Sequence, residues 1–306
     1  MTRRLRLLPP ERRSPIEASA RDRTKRDGES GVVLINVLVI IALASTVVYL
    51  MLSRQEVSLD RVARMAEAAE TQQLALGAEA SVIDALYRDL QTAPDTDHFR
   101  EPWAAVIQDE VQLPTGRFSV RVEDVQAKYD VNLLGSPGIG SVEMMGRLLA
   151  ALDQPPDLAR RMAAVVRRAG PLADLSDLAA FGIPDATIVA LEPYVTALPT
   201  PGTVNLNTVS PLLLETMLRN RSIALRLIST RDRTGQITRD DITGAGGIRP
   251  ENSGFTSGVF DVFVTADVGG ASMTLQTRLL RTDPLNGLSV RVLRRRIVPG
   301  DAGEAD

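Results

Sequence analysis

Few side chains in this 306-residue sequence are placed to do covalent chemistry. It has no cysteine and a single histidine, His98, so neither a thiol nucleophile nor a histidine relay can be built from near neighbours. His98 falls in a loop beside Trp103 and is expected to be solvated. Carboxylates come in pairs, Asp95/Asp97, Glu123/Asp124 and Asp240/Asp241. Calcium takes several such oxygen ligands, and these pairs could supply them. None has the spacing of an EF-hand loop, so each pair is expected to serve surface solubility. Arginines gather at Arg219, Arg221, Arg226, Arg231 and Arg233, where two short helices meet and phosphate could be bound. Phosphate capture of that kind needs a glycine-rich hairpin at a helix N-terminus. The corresponding place reads Leu218-Arg219-Asn220-Arg221-Ser222, without glycine, while Gly138-Ile139-Gly140 is expected to follow a strand. A formal net charge of −3 gives no long-range attraction to nucleic acid. Arg294-Arg295-Arg296 is expected to be a solvated strand end. The sequence therefore reads as non-enzymatic and not nucleic-acid-binding.

The elements that carry these residues begin with an abrupt change of composition. Residues 1–31 are polar and basic, with Pro9, Pro10 and Pro15 opposing a helix. From Val32 to Leu52 there is no charged residue. That length of helix spans about 30 Å, the thickness of a bilayer core. The basic flank precedes the span, which puts residues 1–31 in the cytoplasm and the remainder outside it.

Three readings fit this segment. It can be an uncleaved signal anchor. It can be a secretory signal peptide, since Ala42-Leu43-Ala44 meets the small-x-small rule, although the apolar run continues through Val47, Val48, Leu50 and Leu52. It can be a prepilin-type signal, in which a basic leader ends at Gly31 and the apolar helix starts on Val32. Cleavage at that junction leaves the anchor on the mature chain.

Beyond the span the helix continues. Gln55 to Leu90 contains no proline, and Leu59, Val62, Met65, Ala66, Ala69, Leu76, Val82, Ile83 and Leu86 recur at helical spacing. Pro94 and Asp95-Thr96-Asp97 end it. A strand follows at Phe118, Val120 and Val122. Three more come near the C-terminus: Phe260 to Val268, then Met273 to Leu279 after a Gly269-Gly270 turn, then Leu288 to Val292 after Pro284-Leu285-Asn286-Gly287. Short connections make these last three an antiparallel meander. Between the two blocks the period is helical, at Ser141–Leu152, Leu158–Val166, Leu175–Phe181, Asp185–Leu191, Pro211–Arg219 and Ile223–Arg231. The expected fold is α+β: a long N-terminal helix on an antiparallel sheet, with a large helical insertion of helix-hairpin-helix or SAM-like character. The expected organisation is a leader over 1–31, a spine helix over 32–93 that is transmembrane over 32–52, a sheet domain from 94–135 and 251–298, an inserted domain over 136–250, and a disordered tail over 299–306.

With these elements in place the chain resembles the minor pseudopilin K family of type II secretion (general secretion pathway protein K). The resemblance covers most of the chain. It is carried by Gly31-Val32 and the span, Glu101-Pro102-Trp103, Leu113-Pro114-Thr115-Gly116, Lys128-Tyr129-Asp130-Val131-Asn132-Leu133-Leu134, Pro171 to Leu178, Tyr194-Val195-Thr196-Ala197-Leu198-Pro199 and Val204-Asn205-Leu206-Asn207-Thr208. It implies a single-pass inner-membrane subunit with a periplasmic C-terminal domain. A prepilin peptidase would cleave after Gly31 and methylate Val32. Leu34, Val37, Leu38 and Ile41 would pack in the spine. I- and J-type minor pseudopilins, the major pseudopilin and the inner-membrane assembly platform would be its partners. It would sit at the tip of the pseudopilus, priming assembly for protein export across the outer membrane. Some members hold calcium in the outer domain. Most pilins carry glutamate at mature position five; here that position is Asn36, as K-type members typically lack the glutamate. The alternative from the arginine-bearing helices is a membrane-anchored helix-hairpin-helix DNA-binding protein of an uptake system.

Overall fold

The computed structural model describes residues 16–106, 108–282 and 287–298, with side chains described from Val32 onward. Two units are distinguished along the chain, the first ending at Met65 and the second beginning at Ala66. The first unit is helix. Helix α1 runs Ile16–Thr92, so it begins just past Pro15. Residues 16–31 are therefore helical, in contrast to the helix-free leader expected from its prolines; those prolines all lie at or before position 15. The helix ends at Thr92, immediately ahead of Pro94, whose ring disfavours helical backbone before it. From Val32 the apolar side chains of the first unit are exposed throughout. Among the described residues α1 is the one helix long and apolar enough to cross a membrane.

In the second unit α1 switches from exposed to buried on one face. Ala75, Ala78, Val82 and Leu86 lie against Val120, Val122, Phe260, Val262, Val264, Leu275 and Leu279, with Trp103 closing the end. The two alanines let the helix axis approach the sheet closely. That sheet has five antiparallel strands in the order β1 (Gln108–Leu113), β2 (Gly116–Asp124), β7 (Val259–Val268), β8 (Ala271–Thr282) and β9 (Ser289–Val298). β2 and β7 pair from Arg117 opposite Asp267 to Asp124 opposite Phe260. The β7–β8 turn places Gly269 at φ 56°, and a Cβ there would also strike the Glu67 side chain at 2.7 Å.

β1 is an addition to the expected strands. Its sequence, Gln-Asp-Glu-Val-Gln-Leu, lies on the exposed edge and never buries one face, so it carries no apolar alternation. The expected turn at 284–287 and the tail at 299–306 fall on or overlap residues outside those described.

Between β2 and β7 come α2 (Gly140–Ala151), α3 (Leu158–Ala169), α4 (Asp185–Leu191), α5 (Pro211–Leu218), α6 (Arg221–Thr234) and α7 (Arg239–Gly244). Two small parallel pairs accompany them: β3 (Tyr129–Asp130) with β4 (Val195–Thr196), and β5 (Val204–Asn205) with β6 (Ser253–Gly254). Leu175–Phe181 forms 3₁₀ rather than α-helix, started by an Asp174/Asp177 capping box. The insert has its own core, including Met145, Leu148, Leu149, Met162, Leu178, Leu191, Leu206 and Leu213. Gly138-Ile139-Gly140 does not follow a strand. It lies between a 3₁₀ turn at Val131–Gly135 and the start of α2.

Candidate functional site

Two features stand apart from ordinary packing: the bare first part of α1, and a buried ionic cluster where α1 ends. On α1, Gly31 lies within the helix. Val32, Leu34, Asn36, Val37, Leu38 and Ile41 are all exposed. Leu34, Val37, Leu38 and Ile41 follow the i, i+3, i+4, i+7 spacing of one helix face. Leu59, Val62 and Met65 continue as exposed apolar residues further along. A run of this length with no cover within its own unit needs lipid or other helices around it.

The cluster draws on α1, β2, β5, β8 and the loops beside them. Arg281 of β8 donates from Nη1 to Asp89 Oδ2 of α1 at 2.7 Å, and from Nη2 to the Asp97 carboxylate and to the Ser257 carbonyl. Asp97 Oδ2 also accepts the Ser257 N–H at 2.7 Å. Glu101 Oε2 accepts the indole N–H of Trp103 and the backbone N–H of His98, each at 3.0 Å. Asp124 at the end of β2 accepts from the Ser257 hydroxyl at 2.6 Å, the Thr208 hydroxyl and the Asn205 amide. Burial pushes Glu101 up to about 7, Asp89 up to about 6 and Asp124 up to about 6, against the lowering effect of their hydrogen bonds and of Arg281 beside Asp89. Asp97 is raised for the same reason. Burial lowers His98 and keeps its imidazole neutral at pH 7.

These positions correct several expectations. Asp97 and Asp124 do not serve surface solubility; they are buried and bonded, while Asp95 stays exposed. His98 is largely covered, its side chain 17% exposed and 3.5 Å from Glu101. Asp241 closes a capping box with Thr238 at the start of α7. Arg294-Arg295-Arg296 lies within β9 rather than at its end: Arg294 pairs with Asp174, Arg295 with buried Glu79, and Arg296 donates to Gln276. Sequence spacing could not foretell the partners of Asp97, Asp124, Arg294, Arg295 and Arg296, because each lies on another element.

Calcium does not fit the cluster. One oxygen from each of Asp89, Asp97 and Glu101 lies within 4.8 Å of the others. The Arg281 guanidinium already bonds two of those carboxylates, and a calcium ion asking for six or more oxygens would have to displace it. Of the remaining carboxylates, Glu123 pairs with Arg121 and Asp241 is held in its cap.

The arginine-bearing helices fit phosphate no better. α5 ends with Arg219 in the left-handed region, and the Asn220 side chain caps α6 by accepting the Ile223 N–H. Arg219 pairs with Glu143, Arg226 donates to the Ala245 carbonyl, and Arg231 donates to the Val209 carbonyl. The remaining motif residues act structurally. Asn132 bonds the carbonyls of Leu172 and Leu198 and accepts the Leu172 N–H; Asp130 accepts the Leu198 N–H. Three separate sequence segments are thereby fastened together. Asn207 likewise accepts the Ile237 N–H and donates to Thr96.

The first unit is an exposed apolar helix, and the second is an α+β fold in which a helical insertion separates two paired strands of an antiparallel sheet. No protein-family model matches the chain. The type II secretion system protein K of Pseudomonas aeruginosa is 28% identical over 256 residues, covering 71% of this chain and 77% of that protein. The fold is similar to a chain in the crystal structure of the GspK–GspI–GspJ complex from the enterotoxigenic Escherichia coli type 2 secretion system. That likeness has a TM-score of 0.59 at 20% identity and covers 78% of this chain and 99% of that one. The sequence is thus similar to a type II secretion system protein K, and the fold to that of a chain in the GspK–GspI–GspJ complex. The DNA-uptake alternative finds no support among these relatives.

Proposed function

We propose that this chain is the tip subunit of a type II secretion pseudopilus, with a structural and mechanical role rather than a catalytic one. The observation that carries this is α1: a helix exposed from Val32 and free of charge over Val32–Leu52, whose later part belongs to a unit with a fold similar to that of the GspK complex chain. On this reading a prepilin peptidase cleaves after Gly31 and methylates the new Val32 amine. The segment from Val32 to Leu52 anchors the chain in the inner membrane, and the basic flank holds residues 1–31 in the cytoplasm, so the second unit lies in the periplasm. Leu34, Val37, Leu38 and Ile41 face neighbouring pseudopilin helices. I- and J-type subunits join it, as GspI and GspJ accompany GspK in the similar complex. The chain then caps the major pseudopilin and primes assembly on the inner-membrane platform.

Asn36 fits the leading position. A position-five carboxylate pairs with the terminal amine of the subunit above, and the first subunit has none above it. An unpaired acid at the bilayer centre costs about 2.5–3.5 kcal/mol, less near its edge, and a neutral amide avoids most of that. The test is N-terminal mass spectrometry of the mature protein, joined to co-purification with I- and J-type partners. A methylated Val32 and a ternary complex are expected. A mature start at Ser45, or failure to associate with either partner, would sink the proposal.

A further inference from the structure

The helical insert holds a cavity of about 270 Å³. Its walls come from α2, from the end of α5 and from the segment before β6, with Tyr129 of β3 buried among them. Two guanidiniums line it, Arg147 of α2 and Arg219 just past α5. They share one acid. Arg219 Nη2 lies 3.1 Å and Arg147 Nη1 4.0 Å from the same oxygen, Glu143 Oε2. Arg147 Nε also donates to the Thr216 carbonyl at 3.4 Å. Each guanidinium keeps further N–H groups with no acceptor among the described residues. Burial and then the charge of Arg219 lower the proton affinity of Arg147, an opposition that a bound anion would relieve. Glu251 also borders the cavity, but it lies against the start of α2: its Oε2 is 2.9 Å from the point that a Cβ on Gly140 would occupy. There it faces the positive end of that helix. Glu143 alone therefore answers two cations.

The rest of the lining is of two kinds. Met144 and Met217, both buried, are apolar and adaptable in shape. The Tyr129 hydroxyl lies beside the side chains of Ser141 and Asn252, so hydroxyl and amide groups meet at one place on the wall. The backbone is also unusual here. Among the described residues three that are not glycine have positive φ, and two of them line the cavity: Arg219 at 56° and Asn252 at 54°. Glycine is the ordinary residue where a helix ends in this conformation, and an arginine held there places a charged side chain on the cavity.

Guanidinium forks match the planar geometry of a carboxylate. At about 270 Å³ the cavity is near the low end for ligand sites, so it admits the end of a chain and not a folded surface. The last residue of a peptide carries its carboxylate and its side chain on one carbon, and both can enter so small a space together. An acidic residue within a chain would bring two chain continuations with it. We propose that this cavity binds the C-terminal residue of a peptide, with the carboxylate on Arg147 and Arg219, an apolar side chain on Met144 and Met217, and the last amide beside Tyr129, Ser141 and Asn252.

The full chain in detergent micelles is titrated with N-acetyl-Ala-Leu, N-acetyl-Ala-Met and N-acetyl-Ala-Phe, each as the free acid and as the C-terminal amide. Saturation transfer from protein to peptide protons measures binding. At least one free acid is expected to bind, and its amide to bind about tenfold more weakly or less, because the amide forfeits the charge-assisted bonds to the guanidiniums. Partitioning into detergent would give the opposite order, since the uncharged amides are the more apolar. Arg219→Gly relieves the positive φ and Arg147→Gln keeps a polar side chain of similar reach; each should weaken the acid about tenfold. Folding of both variants is checked by Trp103 emission in urea. Inorganic phosphate should not displace the acid. Equal binding of acids and amides, no acid bound at millimolar concentration, an affinity unchanged in both folded variants, or displacement by phosphate would overturn the proposal.

Discussion

Removing Arg281 tests whether the buried cluster is held by its guanidinium. Arg281 is 5% exposed and bonds Asp89, Asp97 and the Ser257 carbonyl. Arg281→Met keeps an unbranched stem in the same space and leaves two buried carboxylates facing each other without a cation. Breaking a buried ion pair from one side costs about 3–5 kcal/mol, and that range is expected at pH 7.5. At pH 5 the loss should shrink. Asp89, already raised to about 6 with Arg281 present, is raised further without it, so the variant takes up protons the wild type does not need. Between pH 7.5 and about 6 one extra proton returns about 1.4 kcal/mol per pH unit, about 2 in all, leaving a deficit of about 1–3 kcal/mol at pH 5. Urea unfolding of the full chain in mild detergent, followed by Trp103 emission, measures both values. A loss below about 1 kcal/mol at pH 7.5, or one equally large at pH 5, would refute the assignment of Arg281 as the cation of the cluster.

The wild-type chain should itself lose stability as pH climbs from about 4.5 to about 7 and level off above. Glu101 binds its proton more tightly folded, at about 7, than at the ordinary 4.5, so in that window the folded state holds more protons; a rising curve in the same denaturation series would contradict this. Asn132→Ala should cost about 2–4 kcal/mol, since it unfastens the Leu172 and Leu198 backbone groups together, and an unchanged urea midpoint would show that fastening to be idle. Arg219→Gly should be neutral or stabilising by about 0.5–1 kcal/mol, because Arg219 sits at φ 56° as the cap of α5 and its pair with Glu143 is exposed; a loss above about 1 kcal/mol in thermal unfolding would contradict that. Asn36→Leu should retain secretion in a complementation assay, and loss of secretion with normal protein level and processing would identify Asn36 as a specific contact.

The parts of the fold written in local periodicity are legible in the amino-acid sequence. The span from Val32, the alternation at Phe118, Val120 and Val122, and the helical spacing at Leu158–Val166 each state their own geometry. β1 is not legible, because a polar edge strand has no buried face to mark it. α7 escapes as well, being six residues long with only Ile242 buried. The ionic cluster is illegible for a different reason. Asp89, Asp97, Asp124 and Arg281 are spread along the sequence, and a carboxylate written in a loop looks the same whether it meets water or a guanidinium. Trp103 is the available hint, since an indole beside a glutamate two residues away needs an acceptor when buried.

The pairing of Asp124 with Phe260 has a topological consequence. The chain leaves the sheet at the end of β2 and returns on the adjacent strand, so the two ends of the insert are direct neighbours in one ladder. Without it, β1, β2, β7, β8 and β9 would form an uninterrupted up-and-down meander needing only a tight turn where the insert had been. Loop-closure entropy rises by only about 0.6 kcal/mol per doubling of length, so carrying this long excursion costs the sheet about 3 kcal/mol relative to a four-residue turn. That is small enough for a helical module to have been grafted into a hairpin and retained. The graft would then be free to diversify in sequence while the ladder beneath it keeps its register.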